Sequence, residues 1–313
     1  NDKLWGHKWG FKDSSFIIND DKSITFTGAR YDGISGERLP YLIPFVTKVL
    51  DTEINKEPYF KEVKKKFVSE RTLNKSFIDE IESSFEKDKL SLSDDERVLH
   101  SHGQNSPDEV FKVLYDKLEK FTDLIIYVET EEDVVLLINL AKKHNVCLVP
   151  YGGGTNVTNA LQLPKNETRM IVSVDTRRLN RIISIDQKNL LVEVEAGITG
   201  KELETQLQDK GYTTGHQPDS IELSTVGGWI STNAAGMKKN RYGNIEDIVQ
   251  NLVMVTPNGI INQIEPLVRS SIGIKTQNIL FGSEGNLGII TRATMKIHRL
   301  PECSDYESVV MKD

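Results

Sequence analysis

The sequence predicts an α+β protein, on three observations. A β-α-β unit runs from Asp123 to Pro150 and ends in three consecutive glycines. Downstream, two apolar stretches fold back around Asp186–Asn189 and Thr256–Gly259, each reading as a hairpin. Upstream, the chain is charge-rich and helical in flavour from Tyr59 to Leu92.

The unit itself is legible residue by residue. Leu124–Val128 is a short apolar strand, and Thr130 with Asp133 forms a capping box for a helix reaching about Asn145. Lys142, Lys143 and His144 complement the negative end of that helix. Val146–Pro150 then reads as a buried strand, delivering Gly152, Gly153 and Gly154 at its end. Three glycines cost backbone entropy, which is tolerated where φ turns positive or something must touch the backbone. Their bare N–H groups can turn into one anion nest, with Thr155, Asn156 and Thr158 adding side-chain donors. A diphosphate cradle is the first reading, and a glycine-rich surface turn without a ligand is the alternative. A Walker loop is excluded, because no lysine follows Gly154 until Lys165. A Rossmann loop is disfavoured, because Val157–Leu161 is a poor helix start.

Composition narrows the partners. The 313 residues carry a formal net charge of -7, which argues against nucleic acid, so any bound diphosphate must be held by local donors. No apolar run approaches the roughly 18–20 residues of a membrane span. Cys147 and Cys303 lie far apart without metal-type spacing, as in a reducing compartment. The chain starts at Asn1 without methionine, and Ser308–Asp313 reads as an opening strand. Both features lead us to expect one part of a longer protein.

In the N-terminal region, Trp5, Trp9, Phe11, Phe16, Tyr31 and Tyr41 stand among glycines and prolines, suggesting irregular structure that wraps another surface. Phe67, Phe77, Ile81 and Phe85 are spaced as one apolar helix stripe, and Lys64–Lys66 reads as a solvated helix face. His100 and His102 could flank a metal, but without a nearby carboxylate or cysteine they read as ordinary core or surface histidines. Ser106, Pro107 and Glu109 open a helix with Val110, Val113, Leu114 and Leu118 on one face.

Beyond the glycine loop, Met170–Val174 is a strand, and Thr199 with Glu202 boxes a helix that buries Leu203 and Leu207 and stops at Gly211. Ser224 can cap a further helix, with Gly227, Ser231 and Ala234 on one face, suited to tight packing or to a flat ligand. His216 could act as a base, but it lacks a visible partner. Arg269–Gly273 is a polar loop. Phe281–Ile290 has spaced glycines followed by a strand, which fits a turn that bends under a ligand.

Three blocks in this order resemble the FAD-binding domain of the vanillyl-alcohol oxidase superfamily. The first is Pro150, Tyr151, Gly152, Gly153, Gly154, Thr155 and Asn156. The second is Asp219, Ser220, Ile221, Glu222, Leu223, Ser224 and Thr225, with Thr232, Asn233, Ala234 and Ala235. The third is Glu284, Gly285, Asn286, Leu287, Gly288, Ile289 and Ile290. The resemblance implies a two-part FAD-binding domain over 106–300, after a partly helical N-terminal region over 1–105 and before the start of a C-terminal cap domain at 301–313. It implies that the first block holds the FAD diphosphate, while the others line the ribityl chain, the adenosine side and the isoalloxazine ring.

Within the superfamily, Gly236–Val249, Gly6–Phe16 and Tyr31–Pro44 resemble the alkyldihydroxyacetonephosphate synthase family. The FAD-dependent D-2-hydroxyacid dehydrogenases share the flavin domain but usually lack the N-terminal extension. The synthase resemblance implies exchange of the acyl chain of acyl-dihydroxyacetonephosphate for a long-chain fatty alcohol, without net redox change. The flavin N5 would serve as a covalent electron sink at the substrate's C1. It implies a homodimer in peripheral contact with a membrane, at the lumenal face of the peroxisome. The family's proton-shuttling tyrosine and histidine cluster lie in the cap, so no catalytic side chain is assigned here. Many relatives with covalent flavin use a histidine near the glycine loop; none stands in Pro150–Thr158, so FAD is expected to be non-covalent. Tyr151 and Cys147 are conceivable attachment points that are expected simply to pack.

Overall fold

The computed structural model describes residues 4–5, 9–29, 33–54, 68–262, 271, 273, 276–305 and 307–311. Lys64–Lys66, Phe67 and most of the polar loop at 269–273 therefore lie outside the described residues.

Two sheets organise the chain. The first has four strands in the order Leu90–Ser91, Leu124–Tyr127, Ile171–Asp175 and Cys147–Tyr151. The last three run parallel, with Ile171–Asp175 lying between the two strands of the β-α-β unit. Cys147–Tyr151 is thus an edge strand, which accommodates Pro150, since proline has no N–H to donate to a ladder. The crossover helix Glu131–His144 has the expected box: the Thr130 hydroxyl accepts from the Asp133 N–H, and the Asp133 carboxylate accepts in return. The helix stops at Asn145, which adopts left-handed φ.

The second sheet has five antiparallel strands: Gly259–Asn262, Val249–Thr256, Ile289–Lys296, Leu191–Glu195 and Ile182–Asp186. Both expected hairpins are present in it. Helix Gly200–Gln208 buries Leu203 and Leu207 against this sheet, with the reciprocal Thr199–Glu202 box in place.

Each sheet has its own core, and the two meet. Val192, Val194, Leu203, Trp229, Met254 and Met295 belong to one cluster. Phe77, Ile81, Phe85, Leu137, Val172 and Val174 belong to the other, which also takes in Val255 and Ile289 from the five-stranded sheet. The apolar stripe of helix Lys75–Ser84 therefore seats in the same core as the β-α-β unit. At the junction Glu131 accepts from the Thr291 hydroxyl at 2.7 Å and from Arg292 Nε at 3.1 Å.

Several local expectations need correction. The aromatic N-terminal region is not wholly irregular: Ser15–Ile18, Ile24–Thr27 and Arg38–Leu39 form an antiparallel sheet, followed by helix Leu42–Leu50. It touches the rest of the chain at Trp9, whose indole donates to the Gln104 carbonyl at 2.7 Å, while Phe16 and Tyr41 stay exposed. Helix Pro107–Leu114 starts after Ser106, but without a side-chain cap bond. Glu109 turns instead to the Gly103 N–H, at 2.7 Å. The small-residue helix is capped by Thr225, not Ser224, and ends at Ser231, so Ala234 lies beyond it. Ser224 is used elsewhere, accepting from the Trp229 indole at 2.8 Å. Residues 307–311, expected as an opening strand, carry no regular element and are exposed, and among the described residues no strand pairs with them.

Phe77 is fully buried where the N-terminal helix meets the crossover helix, so Phe77→Ala should cost about 3–5 kcal/mol of unfolding free energy. Denaturant titration checks this; a loss below about 1 kcal/mol would show that the helix is not part of the core.

Candidate cofactor-binding site

The glycine loop, the lead into helix Val226–Ser231 and the turn before strand Ile289–Lys296 converge on one cavity of about 470 Å³. It gathers all of Pro150–Asn156 and Thr232–Ala235, together with Asp219, Ser220, Ser224, Thr225, Glu284, Gly285, Gly288, Ile289 and Ile290. Ile221, Glu222, Leu223, Asn286 and Leu287 do not line it. The Ile221 carbonyl accepts from the Lys201 N–H, and Leu223 presents its backbone to the glycine loop from behind. Asn286 and Leu287 border a separate groove with Cys147, Leu148 and Arg169. The cavity also draws on residues outside the three blocks, among them Asn105, Thr176, Pro218, Gly227, Gly228, Trp229 and Ser231. Pro218 adjoins the second block, and Gly227, Gly228, Trp229 and Ser231 lie in the gap inside it. Asn105 and Thr176 come from distant segments and carry no local sequence signal.

The glycines are held by contact as much as by conformation. A Cβ on Gly153 would stand 2.0 Å from the Leu223 carbonyl oxygen, and one on Gly152 would stand 2.5 Å from Thr225 Oγ1. Gly154 has φ +67°, the left-handed region. In the helix, Gly227 abuts Ala196 and also lines the cavity, so this member of the small stripe serves both packing and the site, while Ser231 and Ala234 line the cavity too.

Among the described residues, none accepts a hydrogen bond from the N–H groups of Gly152, Gly153, Gly154, Thr155 or Asn156. Asn156 Nδ2 is buried and likewise lacks a partner. Among the described residues the cavity lining contains no lysine, arginine or histidine, and its charged members are Asp219 and Glu284. An anionic ligand must therefore be met by neutral donors, as a nest of successive N–H groups can do. Such a donor set fits the diphosphate of a dinucleotide.

Behind Tyr151 one buried carboxylate is paired with a guanidinium. Tyr151 is buried, and the His100 ring packs on it with centroids 4.4 Å apart. His100 Nε2 lies 2.9 Å from Asp175, which also bonds Arg177. Burial alone would raise the Asp175 carboxyl, but Arg177 and His100 outweigh it and hold the group below the usual carboxylate range. His100 is thus a core histidine whose carboxylate partner is distant in sequence, and His102 is buried too. Among the described residues there is no cluster that could hold a metal. Among the described residues neither Cys147 nor any histidine lines the cavity.

His216 is a different case. It is fully buried edge-on to Trp229, with centroids 4.6 Å apart, and neither ring nitrogen has a partner. Burial pushes its pKa down to about 4.

Residues 122–265 match the family model described as "FAD binding domain". The chain therefore carries an FAD-binding domain, with FAD as its cofactor, in agreement with the glycine loop. Nearly its whole length is similar to the synthases. It is 39% identical over 304 residues to "Alkyldihydroxyacetonephosphate synthase" of Caenorhabditis elegans, covering 96% of this chain and 50% of that protein. A solved "alkyldihydroxyacetonephosphate synthase in P1" superposes with a TM-score of 0.85 at 32% identity, covering 96% of this chain and 55% of that one. Similarity to "D-lactate dehydrogenase [cytochrome], mitochondrial" of Arabidopsis thaliana is weaker, 29% over 231 residues, covering 74% of this chain and 38% of the relative. The resemblance to the alkyldihydroxyacetonephosphate synthase family read from the motifs is borne out in sequence and in fold. The chain spans about half the length of the synthases it matches.

His216 gives a pH prediction. Its folded pKa lies below the ordinary value of 6.5, so below that value the unfolded chain binds the proton more readily. The stability it contributes is complete above pH 6.5 and is lost as pH falls towards 4, about 2 kcal/mol by pH 5. Denaturant titrations of the flavin-free protein at both pH values should show this loss, and His216→Gln should reduce it. An equal loss in the variant would assign the acid sensitivity to other groups.

Proposed function

We propose that this chain is the flavin-binding part of an enzyme of ether-lipid synthesis, an alkylglycerone-phosphate synthase. It would exchange the acyl chain of acyl-dihydroxyacetonephosphate for a long-chain fatty alcohol, giving alkyl-dihydroxyacetonephosphate and a fatty acid. The observation that carries this reading is the synthase likeness across 96% of the chain, N-terminal extension included. The D-2-hydroxyacid dehydrogenase reading has weaker support, since those relatives are less similar and match a shorter stretch.

The chain's own residues bind and orient. The N–H groups of Gly152–Asn156 would hold the diphosphate, and the second and third blocks would take the rest of the cofactor. When bound, the flavin supplies an electron sink at N5, in an exchange that needs no external electron acceptor. A non-covalent flavin is supported by the lining, which among the described residues holds neither cysteine nor histidine. Tyr151 reaches the cavity only at the base of the loop, as a packed side chain. No catalytic side chain is assigned within residues 1–313. By the same family resemblance we propose a homodimer that touches a membrane peripherally, at the lumenal face of the peroxisome. Among the described residues no helix is long and apolar enough to cross a membrane.

The test uses the full-length polypeptide that carries this chain. It should purify yellow, release its flavin on denaturation, and exchange acyl for alkyl chains without reducing a dye. A protein that stays colourless, keeps flavin on the denatured polypeptide, or passes electrons from a 2-hydroxy acid to a dye would contradict, in that order, the cofactor, its non-covalent attachment and the synthase activity.

A further inference from the structure

The short segment His102–Asn105 lies against the glycine loop and is held at every peptide. The Gly103 N–H donates to the Glu109 carboxylate at 2.7 Å. His102 Nδ1 lies 2.7 Å from the Gly103 carbonyl oxygen. That oxygen can only accept, so Nδ1 carries the hydrogen. The Gln104 N–H, in the same peptide as that carbonyl, donates to the Gly154 carbonyl at 2.6 Å. The next residue repeats the contact from its side chain: Asn105 Nδ2 donates to the Thr155 carbonyl at 3.1 Å.

A trans peptide is planar, and its N–H points opposite to its C=O. Tying down the Gly154 carbonyl therefore fixes the Thr155 N–H, and tying down the Thr155 carbonyl fixes the Asn156 N–H. Both carbonyls are drawn towards 104–105, so both N–H groups face away from that segment. Neither meets an acceptor among the described residues, and Thr155 and Asn156 both line the cavity. Hydrogen bonds in series also polarise one another, so donation from His102 strengthens the donor at the far end.

We propose that His102 and Asn105 are positioning residues for the cofactor diphosphate, acting through two peptide relays that aim the Thr155 and Asn156 N–H groups into the cavity. The inference rests on the reading that this loop receives the FAD diphosphate. His102 works from within the core and Asn105 from the exposed rim. Their roles separate from general packing, because riboflavin shares the isoalloxazine and ribityl parts of FAD and lacks the diphosphate.

The experiment compares the dissociation constants of FAD and riboflavin in the full-length flavin-free polypeptide. Asn105 is exposed, so Asn105→Ala should fold with an unchanged thermal midpoint. Its FAD dissociation constant should rise about tenfold while that for riboflavin stays within about twofold. His102→Leu should show the same selective loss. His102→Asn, whose amide nitrogen can stand where Nδ1 stood, should recover most of it. A folded Asn105→Ala protein with unaltered FAD affinity, or with parallel losses for both ligands, would overturn the proposal, even if the His102 variants did not fold. Equal affinity of the unsubstituted protein for FAD and riboflavin would instead remove the diphosphate reading, and the inference with it.

Discussion

The contact on which the rest of the molecule depends is backbone against backbone, where Gly153 meets Leu223 and Ser224. No side chain fits there: a Cβ on Gly153 would also come within 3.0 Å of Ser224 Cα. This approach joins the end of the parallel strand Cys147–Tyr151 to the lead of helix Val226–Ser231, which packs on the other sheet. The cavity exists because these two pieces of chain touch. The three glycines thus answer two demands at one place. They let the loop seat against the second block, and they leave its N–H groups bare towards the cavity.

Electrostatics follows the same division. Behind Tyr151 one charge pair is retired from the site, Asp175 with Arg177, steadied by His100 and covered by the Tyr151 ring. Arg177 lies over that ring at 5.3 Å, which adds a cation–π contact to the packing. With that pair neutralised and no cation among the described lining residues, the site meets an anion through neutral donors, peptide dipoles chief among them. Peptide dipoles fixed by other hydrogen bonds need no reorganisation when the ligand arrives. This gives the segment behind the loop, His102–Asn105, its importance.

The regular elements were legible because their signals are local. The Thr130–Asp133 and Thr199–Glu202 boxes, the Thr256–Gly259 turn and the Val146–Pro150 strand each lie within a few residues. The signals that misled were local ones overridden from a distance. Glu109 has the spacing of a capping residue, but Gly103 offers its N–H from the other side. Ser224 has the chemistry of a cap, but the Trp229 indole claims its hydroxyl and leaves Thr225 to cap. Asn105 and Thr176 join the cavity only through folding, and no motif marks them. His100 looked partnerless because Asp175 stands 75 positions further along the chain. The strands of the aromatic N-terminal region were hidden for a related reason. Ser15–Ile18 is mostly exposed on both faces, so it lacks the apolar alternation that announces a half-buried strand.

The central claim is that neutral donors, not ion pairs, hold the cofactor's diphosphate. The salt dependence of FAD affinity measures this directly, because exposed ion pairs weaken with ionic strength while bonds from peptide N–H groups do not. Between about 0.05 and 0.5 M salt the dissociation constant should change by less than about twofold, or tighten as repulsion from Asp219 and Glu284 is screened. A weakening of about tenfold or more over that range would mean that lysine or arginine side chains carry the diphosphate, and would contradict the account.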